Sequence, residues 1–293
     1  MLMPVNATRF LRKMRGGAQA HLLATDASSP SSCYVTKFTN NPQHRRILIN
    51  EWVGAHLLAA LGVNTPPVTV VNLSPDFLTR NPDLYLESGS QHLRVPAGWH
   101  LGSLFPGDPL TEAVYDYLPD SLLTSVINRA DFLGALAFDK WTGNADARQA
   151  IFFRRRLRDW LPGFDSSPQR KGFIAQMIDH GYLFDGPNWC FRDAPLQGFF
   201  PRALIYAEVD SLDSFEPWLS RILHCPESVF DHALRSLPPA WIEGDEDGLT
   251  RLLEQLVRRR ARVPDLLLAA IAARPNFFPA WRGAPVQARN ASE

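Results

Sequence analysis

Two carboxylates and one lysine carry the chemistry that this chain can do. Asp146 lies in a polar loop, Gly143-Asn-Ala-Asp-Ala-Arg148, with an amide side chain two residues before it and a guanidinium two residues after it. Asp179 follows an apolar run and stands two places before a glycine, in Gln176-Met-Ile-Asp-His-Gly181. Lys37 is alone in a short apolar run far upstream, Cys33-Tyr-Val-Thr-Lys-Phe38. Metal-assisted phosphoryl transfer rests on positioning and charge neutralisation, and it needs such a set: one acid on a loop, one at a strand end, and a lysine.

The elements that must position these groups follow from periodicity. In the lysine's strand, Val35 and Lys37 share a face, so the ammonium either enters a cleft and finds a partner there or lies solvated at a sheet edge. Residues 43–61 place Ile47, Ile49, Trp52, Val53, Leu57, Leu58 and Leu61 at three- and four-residue spacing, which predicts an amphipathic helix ended by Gly62. Glu51 lies inside that helix, fourteen residues after Lys37. A strand, a turn and half a helix can bring it back to the lysine and hold the ammonium extended toward phosphate oxygens. A solvated helical glutamate is the competing reading.

Around this core the chain reads as strands over 21–25 and 66–72 and a hairpin over 150–157 and 172–178, whose connection holds Pro162, Gly163 and Pro168. Gly16 and Gly17 precede the first strand, where glycines let backbone amides approach a phosphate. Residues 113–119, with Tyr115, Asp116, Tyr117 and Leu118, form an aromatic strand that is either an ordinary core strand or one able to offer backbone donors and acceptors to an adenine. Residues 74–105, punctuated by Gly and Pro, read as an irregular surface excursion. Helices are expected over 121–128 and 130–141, ahead of the Asp146 loop, and over 215–223, 228–236, 248–261 and 264–273. Arg154, Arg155 and Arg156 read as a solvated rim. His180 reads as a packed, hydrogen-bonded residue.

Composition sets the outer bounds. The chain has 293 residues, 45% of them hydrophobic, and 30 basic against 30 acidic side chains. No net field draws it to nucleic acid or to an anionic membrane. No window approaches eighteen consecutive apolar residues, and residues 1–15 lack the pattern of a cleaved leader, so the cytoplasm is the expected location. Cys33, Cys190 and Cys225 are too scattered for a zinc site or a disulfide framework. A β-rich part over 1–118, a helical part with the hairpin over 119–281 and a disordered tail over 282–293 predict an α+β, bilobal architecture with a cleft between the lobes.

The chain resembles the HipA-like kinases, in particular their compact, N-terminally shortened bacterial forms, within the wider protein-kinase and phosphoinositide-kinase fold. The likeness spans about 16–221. It rests on Tyr34-Val-Thr-Lys-Phe38, Asn50-Glu-Trp-Val53, Val114-Tyr-Asp-Tyr-Leu-Pro119, Phe138-Asp-Lys-Trp-Thr-Gly-Asn-Ala-Asp146 and Met177-Ile-Asp-His-Gly-Tyr182. This resemblance implies ATP and Mg²⁺ as cofactors. Lys37 would contact the α- and β-phosphates and Glu51 would brace it, with Gly16 and Gly17 under the phosphates. Tyr115, Asp116, Tyr117 and Leu118 would form the hinge to adenine. Asp146 would orient the acceptor hydroxyl and take its proton, and Asp179, heading Asp-His-Gly in place of Asp-Phe-Gly, would hold Mg²⁺. Such kinases usually carry an asparagine five residues after the catalytic acid; Ile151 stands there, and Gln149 offers an amide oxygen to the metal instead.

The expected function is therefore phosphoryl transfer from ATP to a hydroxyl, a Ser or Thr of a protein acceptor, with no direct nucleic-acid or membrane partner. A small-protein partner is left open. Ile151 and the thin glycine signal motivate the alternative of a pseudokinase module that binds nucleotide or protein without transfer. A more remote reading takes Asp146 and Asp179 as a glycosidase acid pair.

Overall fold

A computed structural model describes residues 3–16, 18–27, 32–157 and 170–283. The first part is a closed five-stranded barrel in the order β1-β2-β3-β7-β4. Its strands are β1 (Val5–Lys13), β2 (His21–Thr25), β3 (Cys33–Lys37), β4 (Val68–Leu73) and β7 (Gly98–Leu104). All neighbours pair antiparallel except β1 and β4, which run parallel through Val5 opposite Val71. Closure leaves no sheet edge to protect.

Two strands depart from the sequence reading. β1 was not foreseen: its register shifts between Ala7 and Arg9 and again between Phe10 and Arg12, which erases the two-residue alternation. The expected surface excursion over 74–105 instead contains β7, which runs between β3 and β4. Its glycines read as breakers, yet a side chain on Gly102 would meet Val71 Cγ2 at 2.5 Å, so the position needs a residue without Cβ. The rest of that stretch forms α2 (Pro75–Arg80), capped by the Ser74 hydroxyl accepting from Phe77 N, and a hairpin of β5 (Tyr85–Ser88) and β6 (Gln91–Arg94).

Helix α1 (Arg46–Ala60) is buried on nearly every face, unlike the amphipathic helix expected. It wedges between the two lobes and packs against α6 (Glu227–Arg235) and α7 (Pro239–Ile242). Trp52 Nε1 donates to Ala233 O at 3.1 Å, and Arg46 at the helix start pairs with Asp245. Gly54 permits the closest approach: a Cβ there would lie 2.6 Å from Leu183 Cδ1 and 2.8 Å from His180 Cβ.

The second part opens with β8 (Val114–Tyr115), shorter than expected, and α3 (Asp120–Leu123). A three-stranded sheet follows in the order β10-β9-β8, made with β9 (Gln149–Arg156) and β10 (Lys171–Ile178). The connection that holds Pro162, Gly163 and Pro168 lies outside the described residues. Helix α4 (Asp131–Thr142) is the axis of the helical lobe, stopped by Gly143 in the left-handed region at φ 63°. Around it stand α5 (Trp218–Leu223), α8 (Glu246–Arg259) and α9 (Val263–Ala273). Trp141 Nε1 donates to Leu256 O and Arg259 Nε to Trp141 O, which fastens α8 to α4. Arg282 N reaches Asp210 O, while 284–293 of the expected tail lie outside the described residues. Among the described residues no helix is long and apolar enough to cross a membrane. The architecture is α+β, with a β-rich first part and a helical second part.

Candidate active site

Lys37 closes β3, and its side chain meets two acids. It donates to Glu51 Oε1 from α1 and, at 2.8 Å, to Asp179 Oδ1 from the turn after β10. The side chains of Lys37 and Glu51 are 13% and 4% exposed, and that of Asp179 is 35% exposed, so the cluster opens to solvent on the Asp179 side. Burial opposes the lysine's charge, but Glu51 and Asp179 outweigh it and raise its pKa. Burial raises the Glu51 carboxyl against the pull of Lys37. Burial also opposes ionisation of Asp179, yet the Lys37 charge and hydrogen bond hold that carboxyl down at about 2. Asp179 is thus an ionised carboxylate, unsuited to be the proton donor of a glycosidase pair.

Asp179 adopts φ 60° in the left-handed region, which swings the chain out of the strand. Beyond it Ala145 N donates to Tyr182 O at 3.0 Å, so the loop that carries Asp146 lies against the turn after Asp179. A Cβ on Gly181 would lie 3.4 Å from Glu51 Oε1 and 3.8 Å from Asp179 Oδ1, so the turn that Ala145 bonds to adjoins the lysine cluster. Asp146 itself is exposed. Its N–H donates to Asn144 Oδ1 at 3.0 Å, its carboxylate accepts from Ala147 N at 2.7 Å, and its carbonyl accepts from Gly198 N. Gln149 is exposed, opposite Ile178 and one residue from Asp179 in register; Ile151 lies half-buried opposite Gln176.

Cross-strand pairing puts Leu22, Ala24, Cys33 and Val35 on the same side of the barrel as Lys37. There they form a small apolar cluster with Phe105, against which Leu11, Met14 and Val114 pack. An apolar lining therefore runs from β8 to the lysine. Gly16, at φ 123°, lies in the turn from β1 to β2 at the same end of the barrel, and Gly17 lies outside the described residues. Tyr115, which ends β8, is exposed, as are Asp116 and Tyr117 after it. Leu118 turns into the main core, and its carbonyl accepts from Arg202 Nη1 at 3.0 Å.

No family model matches the chain, and no curated protein matches it. Among solved structures it is similar to the Golgi casein kinase. A crystal structure of that kinase with Mn/ADP bound aligns at a TM-score of 0.48 and 12% identity, over 93% of this chain and 74% of that one. A second crystal structure of the Golgi casein kinase aligns over the same shares at 0.47 and 13%. Likenesses this distant carry no residue role from those proteins to this chain, and the site stands on its own geometry.

Three supporting groups escaped sequence reading. Asp139 and Arg148 form an ion pair in which neither side chain is more than 1% exposed, and Asn144 Nδ2 adds a bond to Asp139 Oδ1 at 3.0 Å. Arg148 Nη1 also donates to Ile178 O at 3.0 Å and to His180 Nδ1 at 2.9 Å. A guanidinium only donates, so Nδ1 of His180 accepts and its Nε2–H donates to Thr65 Oγ1 at 2.9 Å. Burial, with Arg148 adding to it, keeps the His180 pKa far below the usual histidine range, so the ring is neutral. The third group is Asn50, whose Nδ2 faces the carbonyls of Gly181, Leu183 and Gly186 at 2.7–3.1 Å and whose Oδ1 accepts from Trp189 Nε1 at 2.9 Å. The available signal was polarity out of place: Asn50 and Asp139 sit inside otherwise apolar helical runs.

Proposed function

We propose that the chain is an ATP- and Mg²⁺-dependent phosphotransferase of the HipA-like type, acting on a Ser or Thr hydroxyl of a protein acceptor in the cytoplasm. The observation that carries this reading is the Lys37 ammonium suspended between Glu51 and Asp179 at the end of an apolar-lined face. A lysine fixed by a helix acid, with a second acid within hydrogen-bond reach, is the arrangement that aligns nucleotide phosphates.

The donor set fits a magnesium–nucleotide complex. Among the described residues no group of three or more His, Cys, Asp or Glu could hold a metal ion, so protein ligands alone do not make a cage. Mg²⁺ is usually held by one or two carboxylates together with substrate phosphates, and Asp179, ionised and partly exposed, suits that role with Gln149 beside it. When bound, the complex supplies the transferable phosphoryl group and neutralises its charge. The chain's own residues do the rest. Lys37 exchanges its bond to Asp179 for phosphate oxygens while Glu51 keeps it extended, and Asp146 orients the acceptor hydroxyl and takes its proton. Asn144, Asp139 and Arg148 hold the Asp146 loop.

The test pairs a γ-phosphate transfer assay with thermal shift in ATP and Mg²⁺. Asp146→Asn should abolish transfer while keeping nucleotide stabilisation, and Asp179→Asn should abolish both. Transfer by both variants at the wild-type rate would remove the mechanism. Ile151, at the position of the usual second metal ligand, favours the second reading of a binding module. That reading holds if nucleotide stabilises the protein and no acceptor, the protein itself included, is phosphorylated.

A further inference from the structure

Lys140, in α4, is a buried cation, 6% exposed, whose hydrogen bonds go to backbone carbonyls. Its Nζ donates to Gln197 O at 2.5 Å, to Pro195 O at 2.9 Å and to Ala194 O at 3.4 Å, so the turn over 194–197 is folded around the ammonium. Asp139, its neighbour in the helix, is committed to Arg148. A buried charge is costly unless its bonds are made, and these three fix the turn from beneath.

The turn leads into the Asp146 loop. Gly198 N donates to Asp146 O at 2.9 Å and Arg148 N to Phe199 O at 3.0 Å, so 198–199 runs beside the acid and is bonded to it on both sides. Gly198 is at φ 75°, and a Cβ on it would lie 2.7 Å from Asp139 Cβ, so glycine is what lets the segment come this close. Pro195, Leu196 and Gln197 are exposed, as is Asp146. The turn thus spends its carbonyls on Lys140 and leaves exposed residues one to three places from the bond to the acid, within reach of a chain that presents a hydroxyl there.

We propose that Lys140 is a positioning residue for a protein acceptor: it holds the 194–197 turn as the rim on which the acceptor chain rests beside Asp146. This rests on the phosphotransferase reading above. The rim depends on the charge of the lysine. Burial outweighs the pull of Asp139 and, with Arg274 after α9, brings the ammonium's pKa down to about 8. The other charged groups around it are Arg192 and Asp193 of the same segment and Arg259 of α8, which pairs with Asp193. Above that pH the neutral amine has one proton fewer to give to three carbonyls and gives it more weakly, so the turn loosens. Lys37, whose charge Glu51 and Asp179 uphold against burial, keeps its grip over the same range.

The probe is a peptide library with one central serine in degenerate flanks, assayed on the full chain with ATP and Mg²⁺. In the wild type the peptide KM should rise at least about fivefold from pH 7 to pH 9, setting in near pH 8, while the KM for ATP stays within about twofold. That series needs no variant, so it stands even where a substitution fails to fold. Lys140→Met, with no charge to lose, should show the raised peptide KM already at pH 7 and no further change to pH 9, with the ATP KM of the wild type. A peptide KM that is flat with pH in the wild type, a rise that Lys140→Met still shows, or both KM values moving together overturns the assignment and leaves phosphotransfer standing. Wild-type protein that is stabilised by ATP but phosphorylates no peptide removes the rim and favours the binding module. Wild-type protein that is neither stabilised nor active overturns both readings.

Discussion

Lys37 and Asp179 are separated by 142 residues and meet at 2.8 Å, with Glu51 on the lysine's other side. One cation thus ties the barrel, the wedge helix and the turn after β10 into a single unit. Its removal leaves one fully buried and one partly buried carboxylate facing each other. Lys37→Met should cost about 3 kcal/mol of stability. The double variant Lys37→Met/Glu51→Leu should recover a large part of that loss, since it removes the stranded charge as well. Urea midpoints of the wild type, both single variants and the double variant give the coupling; strict additivity would mean that the three groups are independent.

Arg148 is the buried hub behind the Asp146 loop, paired with Asp139 and bonded to Ile178 and His180. Arg148→Met should destabilise by about 3–5 kcal/mol, because Asp139 is left charged in the core. Arg148→Lys should rescue little, since an ammonium cannot reproduce the two parallel bonds to Asp139 while also reaching His180. Denaturation of the two variants side by side checks this: a lysine variant as stable as the wild type would reduce the hub to a simple charge pair.

Asn50 holds the segment after Asp179 by one amide. Asn50→Asp keeps the shape but turns an acceptor toward three carbonyls, so it should cost at least about 3 kcal/mol, as much as Asn50→Leu or more. Hydrogen exchange would show lost protection concentrated at 181–189. Uniform loss across the chain would argue against a local tether.

Stability should fall on mild acidification. Burial lowers the pKa of His21 and His180 and brings that of His100 to about 4, so the folded protein holds these rings neutral. The unfolded chain takes up protons near pH 6.5 and the folded one does not, so their contribution is complete at pH 7. It is lost as pH falls below about 6.5, for His100 down toward about 4, by at most about 1.4 kcal/mol per pH unit for each ring. Asp179, held at about 2, adds its own loss only below about pH 4. Urea midpoints at pH 7 and pH 5 test the order, and His100→Gln should flatten the slope over that window. A slope between pH 7 and 5 that His100→Gln leaves unchanged would mean that this ring is not held neutral.

Local pattern made much of this molecule legible. The alternation of Cys33 to Lys37 and of 150–157 announces strands, and the spacing from Lys37 to Glu51 is short enough that one strand, one turn and half a helix settle whether the two meet. His180 could be read as a packed residue from its apolar setting, though the sequence did not name Arg148 and Thr65 as its partners. What chain order cannot carry is pairing across long separations. β7 enters the barrel between β3 and β4 because their open edges need a neighbour, and its glycines serve that contact where they had read as breaks. The sequence by itself determined the elements and the types of reactive side chain, since helix and strand periods are written within a few residues. Only the tertiary structure decided that Lys37 faces Asp179, because which face a strand shows is set by what packs against its other one.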